Sequence, residues 1–172
     1  FQGSRGLGDV YKRQDKVFVT IDGKNAKDFD DAVLGEKDEE GNLILYVAIA
    51  DVGRYIDIGS NLDQEAYERG TSVYFSQKVI PMLPEELSND LCSLKPNEDR
   101  FCLVCRTKID AEGNLSDTSF FEALINSKSR LTYSTVTREI ERQQFKRPYA
   151  NSLKVLLLSL IHISEPTRPL EI

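Results

Sequence analysis

Thr20-Ile21-Asp22-Gly23-Lys24-Asn25-Ala26-Lys27-Asp28-Phe29-Asp30-Asp31 is the stretch on which the reading of this 172-residue chain turns. Four carboxylates, Asp22, Asp28, Asp30 and Asp31, fall within ten residues of a segment that begins like a buried strand. Two carboxylates about 4 Å apart repel by roughly 4 kcal/mol at an effective dielectric near 20. A fold relieves such a cluster by spreading it into water, by raising some pKa values, or by binding a cation. Hard divalent ions such as Mg²⁺ take oxygen ligands, keep several waters and complete their shell with substrate phosphates. The cation is the answer that suits this pattern best.

Spacing points the same way. Val17-Phe18-Val19-Thr20-Ile21 has the β-branched and aromatic character of a strand and delivers Asp22 to its end, where Gly23 permits a sharp turn. Asp28 and Asp30, two apart, share a face if this piece is extended, and Asp31 leads into the next apolar run, Ala32-Val33-Leu34. A solvated acidic loop is the plain alternative. A calcium loop is another, with Asp28, Asp30 and Glu39 at its first, third and twelfth positions. Ala32 and Val33 then stand where an oxygen ligand and the turn glycine belong, and flanking helices are missing, so the calcium loop fails.

Further blocks follow in order: Val47-Ala-Ile-Ala-Asp-Val52, Arg69-Gly-Thr-Ser-Val-Tyr-Phe75, Val79-Ile-Pro-Met-Leu-Pro84, Leu87-Ser-Asn89 and Leu91-Cys-Ser-Leu94. Together with Thr20-Ile-Asp-Gly and Asp28-Phe-Asp-Asp-Ala-Val33, they resemble the ribonuclease II/R (RNB) family of exoribonucleases, at the start of its catalytic domain. The wording is nearest the bacterial ribonuclease R branch. Six blocks in one order are not coincidence, and the solvated-loop reading gives way.

The resemblance covers about residues 15–158 and implies an α+β fold, a mixed and mostly antiparallel sheet with short helices, forming the front half of the catalytic domain. It implies stepwise 3′-to-5′ hydrolysis of single-stranded RNA to nucleoside 5′-monophosphates with Mg²⁺, or Mn²⁺ in its place. The family's four aspartates map onto Asp22, Asp28, Asp30 and Asp31. Asp22, Asp28 and Asp31 are assigned mainly to metal, and Asp30 to orienting water or metal. The tyrosine of the Thr71-Ser-Val-Tyr-Phe75 block, Tyr74, is the family residue that stacks on the base at the RNA 3′ end. Stacking tolerates any base, because every base has a π-face. The family's catalytic arginine, its basic RNA channel and its flanking oligonucleotide-binding domains are expected outside this chain. An inert or merely metal-binding fragment is therefore the competing reading.

Lys and Arg number 22 against 28 Asp and Glu, a net charge of −6. A nucleic-acid binder ordinarily shows a basic footprint. The excess acid is expected to be offset by metal locally and by basic surface elsewhere. Cys92, Cys102 and Cys105, in a chain with no signal-peptide pattern and no long apolar run, suggest reduced thiols, a cytoplasmic protein and no membrane association. Cys102-Leu-Val-Cys105 has zinc-like spacing but no second pair, so structural cysteines are expected.

Residues 1–14 and 159–172 leave the family pattern and resemble peptides translated from sequencing-adapter DNA; they are set aside as non-native flanks. Between them, Leu43 to Val52 reads as a long strand buried on both faces. Its odd residue, Asp51, either supports the metal cluster from behind or caps a turn before Gly53. Ser60 to Gly70 reads as a capped helix followed by the strand Thr71–Phe75. Pro84 opens a further helical piece, and Phe101–Ile109 and Leu115–Asn126 form a hairpin through Ala111-Glu-Gly-Asn114. Helices are expected from Thr132 onward and from Ala150 towards Leu158.

Overall fold

The computed structural model describes the backbone of residues 10–164 and the side chains of residues 10–159. The greater parts of both supposed flanks, 1–9 and 165–172, lie outside the described residues. Among the described residues, nine strands and three α-helices follow in the order β1 (Tyr11–Arg13), β2 (Val19–Asp22), β3 (Asp31–Lys37), β4 (Leu43–Ala50), α1 (Asn61–Arg69), β5 (Val73–Tyr74), β6 (Val79–Ile80), β7 (Asp99–Ile109), β8 (Leu115–Asn126), β9 (Ser129–Thr132), α2 (Tyr133–Glu141) and α3 (Ala150–Ser164).

Seven strands make one sheet in the order β1-β8-β7-β4-β3-β2-β9, and β5-β6 form a separate ribbon. Every pairing from β8 to β2 is antiparallel; the outermost two, β1 with β8 and β2 with β9, are parallel. The expected α+β class, mixed and mostly antiparallel with short helices, is what the chain adopts.

Each face of the sheet has its own core. On one, Phe18, Phe29, Ala32, Leu34, Ala48, Ala50, Cys92, Leu94, Cys102, Val104, Ala123 and Ile125 pack under the segment around 87–94. On the other, Tyr149 and, from α3, Leu153 and Leu156 pack on Val19 and Leu131. Helix α3 comes so close to β3 that a Cβ at Gly35 would stand 2.8 Å from Val155 Cβ. The Gly35 N–H donates to Ser152 Oγ at 2.9 Å in that contact. Burying a large apolar side chain stabilises by about 1.5–3 kcal/mol, so these two layers hold β2 and β3 firmly between them.

Local chemistry explains the boundaries. Ser60 caps α1 by accepting from Asp63 N, and Gly70 ends it at a φ of +70°. Thr132 caps α2 by accepting from Thr135 N. Asp110 Oδ1 accepts from the N–H groups of Glu112 and Asn114, closing the β7–β8 turn. Four expectations change. The run expected as one strand to Val52 ends at Ala50, because a 3-10 turn occupies Val52–Arg54. That strand is not buried on both faces throughout, since Ile49 is 47% exposed. The strand of the Thr71–Phe75 block shrinks to Val73–Tyr74, and the helical piece after Pro84 is a π-helical turn at Leu87–Leu91.

Candidate active site

Because β2 and β3 are antiparallel neighbours, the end of β2 and the start of β3 meet at one edge of the sheet. Asp22 is the last residue of β2, in register with Thr132 of β9, and Asp31 is the first of β3, opposite Ile49 of β4. The loop 23–30 between them carries Asp28 and Asp30. Phe29 is buried in the core, and this anchors the loop between its two acidic neighbours.

The loop backbone is held from three directions. Phe29 N–H donates to Ser93 Oγ at 3.0 Å, and Ser93 Oγ donates to the Lys27 carbonyl at 3.1 Å. The Leu94 N–H donates to the Phe29 carbonyl at 2.8 Å, and the Ala50 N–H to the Asp30 carbonyl at 2.9 Å. Arg130 of β9 donates from Nη2 to the Gly23 and Lys24 carbonyls at 3.0 and 2.6 Å, and its guanidinium lies 5.2 Å from the Phe29 ring centroid. The sequence reading passed over Ser93 and Arg130. The Leu91-Cys-Ser-Leu94 block was the signal for the first, and nothing in the sequence marked the second.

Electrostatics follow from the crowding. Burial, then the Asp31 charge, raises the Asp22 carboxyl above the usual carboxylate range, with the Thr20 hydroxyl and then Arg130 pulling it partly back. Asp30 is open to solvent at its surface, yet partial desolvation and then Asp28 and Asp31 raise its carboxyl too. Asp22 Oδ2 and Thr20 Oγ1, on one face of β2, are both buried; the hydroxyl is near enough to lower the carboxyl, but neither atom makes a hydrogen bond of full geometry among the described residues.

The ribbon β5–β6 brings Tyr74 to the cluster from 46 positions away: its hydroxyl donates to Asp28 Oδ2 at 3.0 Å. That bond to a carboxylate, followed by desolvation, raises the phenol above its ordinary pKa. The ring itself is 64% exposed, so a face is available for stacking. Arg69, whose Nη1 donates to the Pro81 carbonyl at 2.7 Å, ties the ribbon to α1.

Among the described residues no group of three or more His, Cys, Asp or Glu side chains stands together as a metal cage. The donor set nevertheless fits Mg²⁺. It is all carboxylate oxygen, one of its oxygens is buried and unpartnered, and Mg²⁺ binds through one or two carboxylates plus waters and phosphate oxygens.

Asp51 goes elsewhere: it precedes the 3-10 turn without a side-chain cap bond and instead accepts from Arg54 Nε at 3.0 Å. Arg54 also reaches Glu122 at 2.7 Å and lies 4.1 Å over the Phe101 ring, so Asp51 belongs to an ion-pair network. All three cysteines are free thiols. Burial pushes Cys92 up to about 11 and Cys102 up to about 12, the behaviour of unreactive structural thiols.

The chain matches the family model for the RNB domain over residues 12–167. It is 49% identical to ribonuclease R of Escherichia coli (strain K12) over 144 residues, which is 83% of this chain and 18% of that protein. Ribonuclease R of Thermotoga maritima is 44% identical over 155 residues, 90% of this chain and 22% of that protein. Among solved structures, Mycoplasma genitalium RNase R in complex with double-stranded RNA superposes with a TM-score of 0.82 at 36% identity, covering 87% of this chain and 27% of that one. Yeast Ssd1, a pseudonuclease, superposes at 0.77 with 19% identity, covering 91% of this chain and 19% of that one, a likeness of fold alone. The chain thus spans about a fifth of the length of these curated relatives.

Proposed function

The chain belongs to the RNB-domain family of ribonucleases, and from that premise we propose that residues 15–158 form the metal-carboxylate part of a 3′-to-5′ exoribonuclease active site. The substrate is single-stranded RNA, hydrolysed stepwise to nucleoside 5′-monophosphates. One observation carries the reading: Asp22 and Asp31 end adjacent strands at one sheet edge, with Asp28 and Asp30 on a loop pinned between them. Fold alone would not carry it, since a pseudonuclease shares the fold.

Asp22, Asp28 and Asp31 are the residues that would hold the ion, Mg²⁺ or Mn²⁺. When bound, such an ion offsets the charge of the incoming phosphate, polarises the phosphoryl oxygen and makes a water easier to deprotonate. Asp30, exposed at its surface and raised in pKa by partial desolvation and then by its acidic neighbours, accepts a hydrogen bond from the attacking water and orients it towards phosphorus. That water forms the new P–O bond while the bond to the 3′ oxygen of the preceding nucleotide breaks, and the leaving oxygen takes up a proton. Tyr74 stacks on the terminal base, and its bond to Asp28 sets the distance between base and carboxylates. With a net charge of −6 over its 172 residues, the chain does not itself attract RNA; basic surface beyond it supplies that. We place the protein in the cytoplasm and off the membrane. Among the described residues no helix is long and apolar enough to cross one.

The test is a chimera in which residues 15–158 replace the matching segment of the Escherichia coli ribonuclease R. It should degrade end-labelled single-stranded RNA to monophosphates with Mg²⁺. Asp30→Asn should cut its rate by orders of magnitude while leaving RNA affinity equal or slightly higher, because a charge that repels phosphate is removed. A folded chimera with no activity, or an active one indifferent to Asp30→Asn, rejects the reading.

A further inference from the structure

We propose that Ser93 is a positioning residue for the aspartate loop and that its hydroxyl sets the affinity of the loop for a divalent cation; this rests on reading Asp22, Asp28, Asp30 and Asp31 as a metal site. Ser93 is neither acidic nor exposed, and its side chain is fully buried. Its Oγ accepts from Phe29 N–H at 3.0 Å and donates to the Lys27 carbonyl at 3.1 Å. Those groups belong to the two peptide units on either side of Asp28. A single hydroxyl that bridges both closes a ring about the Asp28 Cα and so restrains its φ and ψ together.

The neighbouring bonds extend that restraint. Leu94 N–H holds the Phe29 carbonyl and Ala50 N–H holds the Asp30 carbonyl, so the backbone from Lys27 to Asp30 is tied at each peptide. Remove the hydroxyl, and a buried N–H and a C=O lose their partner where water cannot replace it. The loop then relaxes, and the carboxylates of Asp28, Asp30 and Asp31 no longer keep their spacing from Asp22. Groups that orient ligands from behind typically change metal affinity by about 10–100-fold when lost.

The experiment titrates the full 172-residue chain with Mn²⁺ and reads free ion by electron paramagnetic resonance, well below each variant's melting temperature, so that global stability does not enter. Ser93→Ala should raise the Kd for Mn²⁺ about tenfold or more. Ser127→Ala is the control, since Ser127 is equally buried but its hydroxyl has no partner among the described residues; its Kd should stay at the wild-type value. Equal Mn²⁺ affinity in wild type and a folded Ser93→Ala overturns the proposal and leaves the metal site standing. A wild-type chain that binds no Mn²⁺ overturns the metal reading and this inference with it. If Ser93→Ala does not fold, Ser93→Cys decides: a thiol is a weak donor and a weak acceptor, so weaker Mn²⁺ binding supports the proposal and unchanged binding rejects it.

Discussion

The Tyr74 hydroxyl donates a hydrogen bond of 3.0 Å to Asp28 Oδ2, joining the β5–β6 ribbon to the aspartate loop 46 positions away in sequence. Two functions of one side chain then separate. Tyr74→Phe keeps the stacking face and frees the carboxylate oxygen. Tyr74→Ala removes both. In the chimera, Tyr74→Ala should weaken the hold on the 3′ base by about 1–3 kcal/mol, roughly 5- to 150-fold, and change the length of the final product. Tyr74→Phe should keep the wild-type end product. Gel analysis of end-labelled RNA checks this; identical ladders for wild type and Tyr74→Ala would remove the stacking role.

A divalent ion should stabilise the folded chain, because only the native state brings the ends of β2 and β3 and the acidic loop between them to one place. Linkage gives about 2.7 kcal/mol at a ligand concentration 100 times Kd. For a chain of this size that is a rise in Tm of roughly 5–10 °C. Melts in Mg²⁺ should show the rise and EDTA should reverse it. Asp31→Asn should abolish most of it. A Tm indifferent to Mg²⁺ and Mn²⁺ would count against the site.

Without metal, the same carboxylates strain the fold, and the sign with pH follows from the raised values at Asp22 and Asp30. A carboxyl with a higher pKa folded than unfolded holds its proton more tightly in the native state. Its contribution is favourable in acid and is lost as pH rises through the folded pKa. Asp22→Asn should therefore raise the metal-free Tm at pH 7, and the gap from wild type should close as pH falls towards the ordinary range near 4. Asp38 runs the other way: bonds from Asn42 and Lys108 lower it to about 2, and its contribution is lost only as pH falls through that value. Paired melts of wild type and Asp22→Asn from pH 7 to 4 isolate the first effect. A gap that widens in acid would contradict the sign.

Much of this architecture was legible in the sequence, and the physical reasons are specific. Asp22 after a β-branched run and Asp31 before an apolar one place two carboxylates at strand ends, and a short loop leaves them little choice but to meet. Ser60 and Gly70 marked α1 because capping is local chemistry. Ser93 and Arg130 were not legible as loop holders, because their partners lie 64 and 107 residues away and depend on which strands become neighbours. Asp51 misled for the same reason: its partner Arg54 is near in sequence, but the Glu122 that completes the network is 68 residues beyond Arg54. The exposed Ile49 shows that an unbroken apolar run does not report which part of a sheet face a helix will cover.

The 172-residue chain by itself should not turn over RNA. Phosphoryl transfer needs positive charge on the transition state beyond what metal supplies, and a positioned arginine can be worth about 10³-fold or more in rate. Arg130, whose charge lowers the Asp22 carboxyl, spends its Nη2 donor on the Gly23, Lys24 and Ala26 carbonyls, and Arg54 is engaged by Asp51 and Glu122. Both guanidinium groups are thus engaged in holding the fold. A net charge of −6 also opposes RNA at physiological salt. Purified chain with Mg²⁺ and labelled single-stranded RNA should therefore release no monophosphate above a metal-only control, while the chimera does. Turnover by the chain alone near that of the chimera, abolished by Asp30→Asn, would show that these residues need no further cation and that the division of labour argued here is wrong.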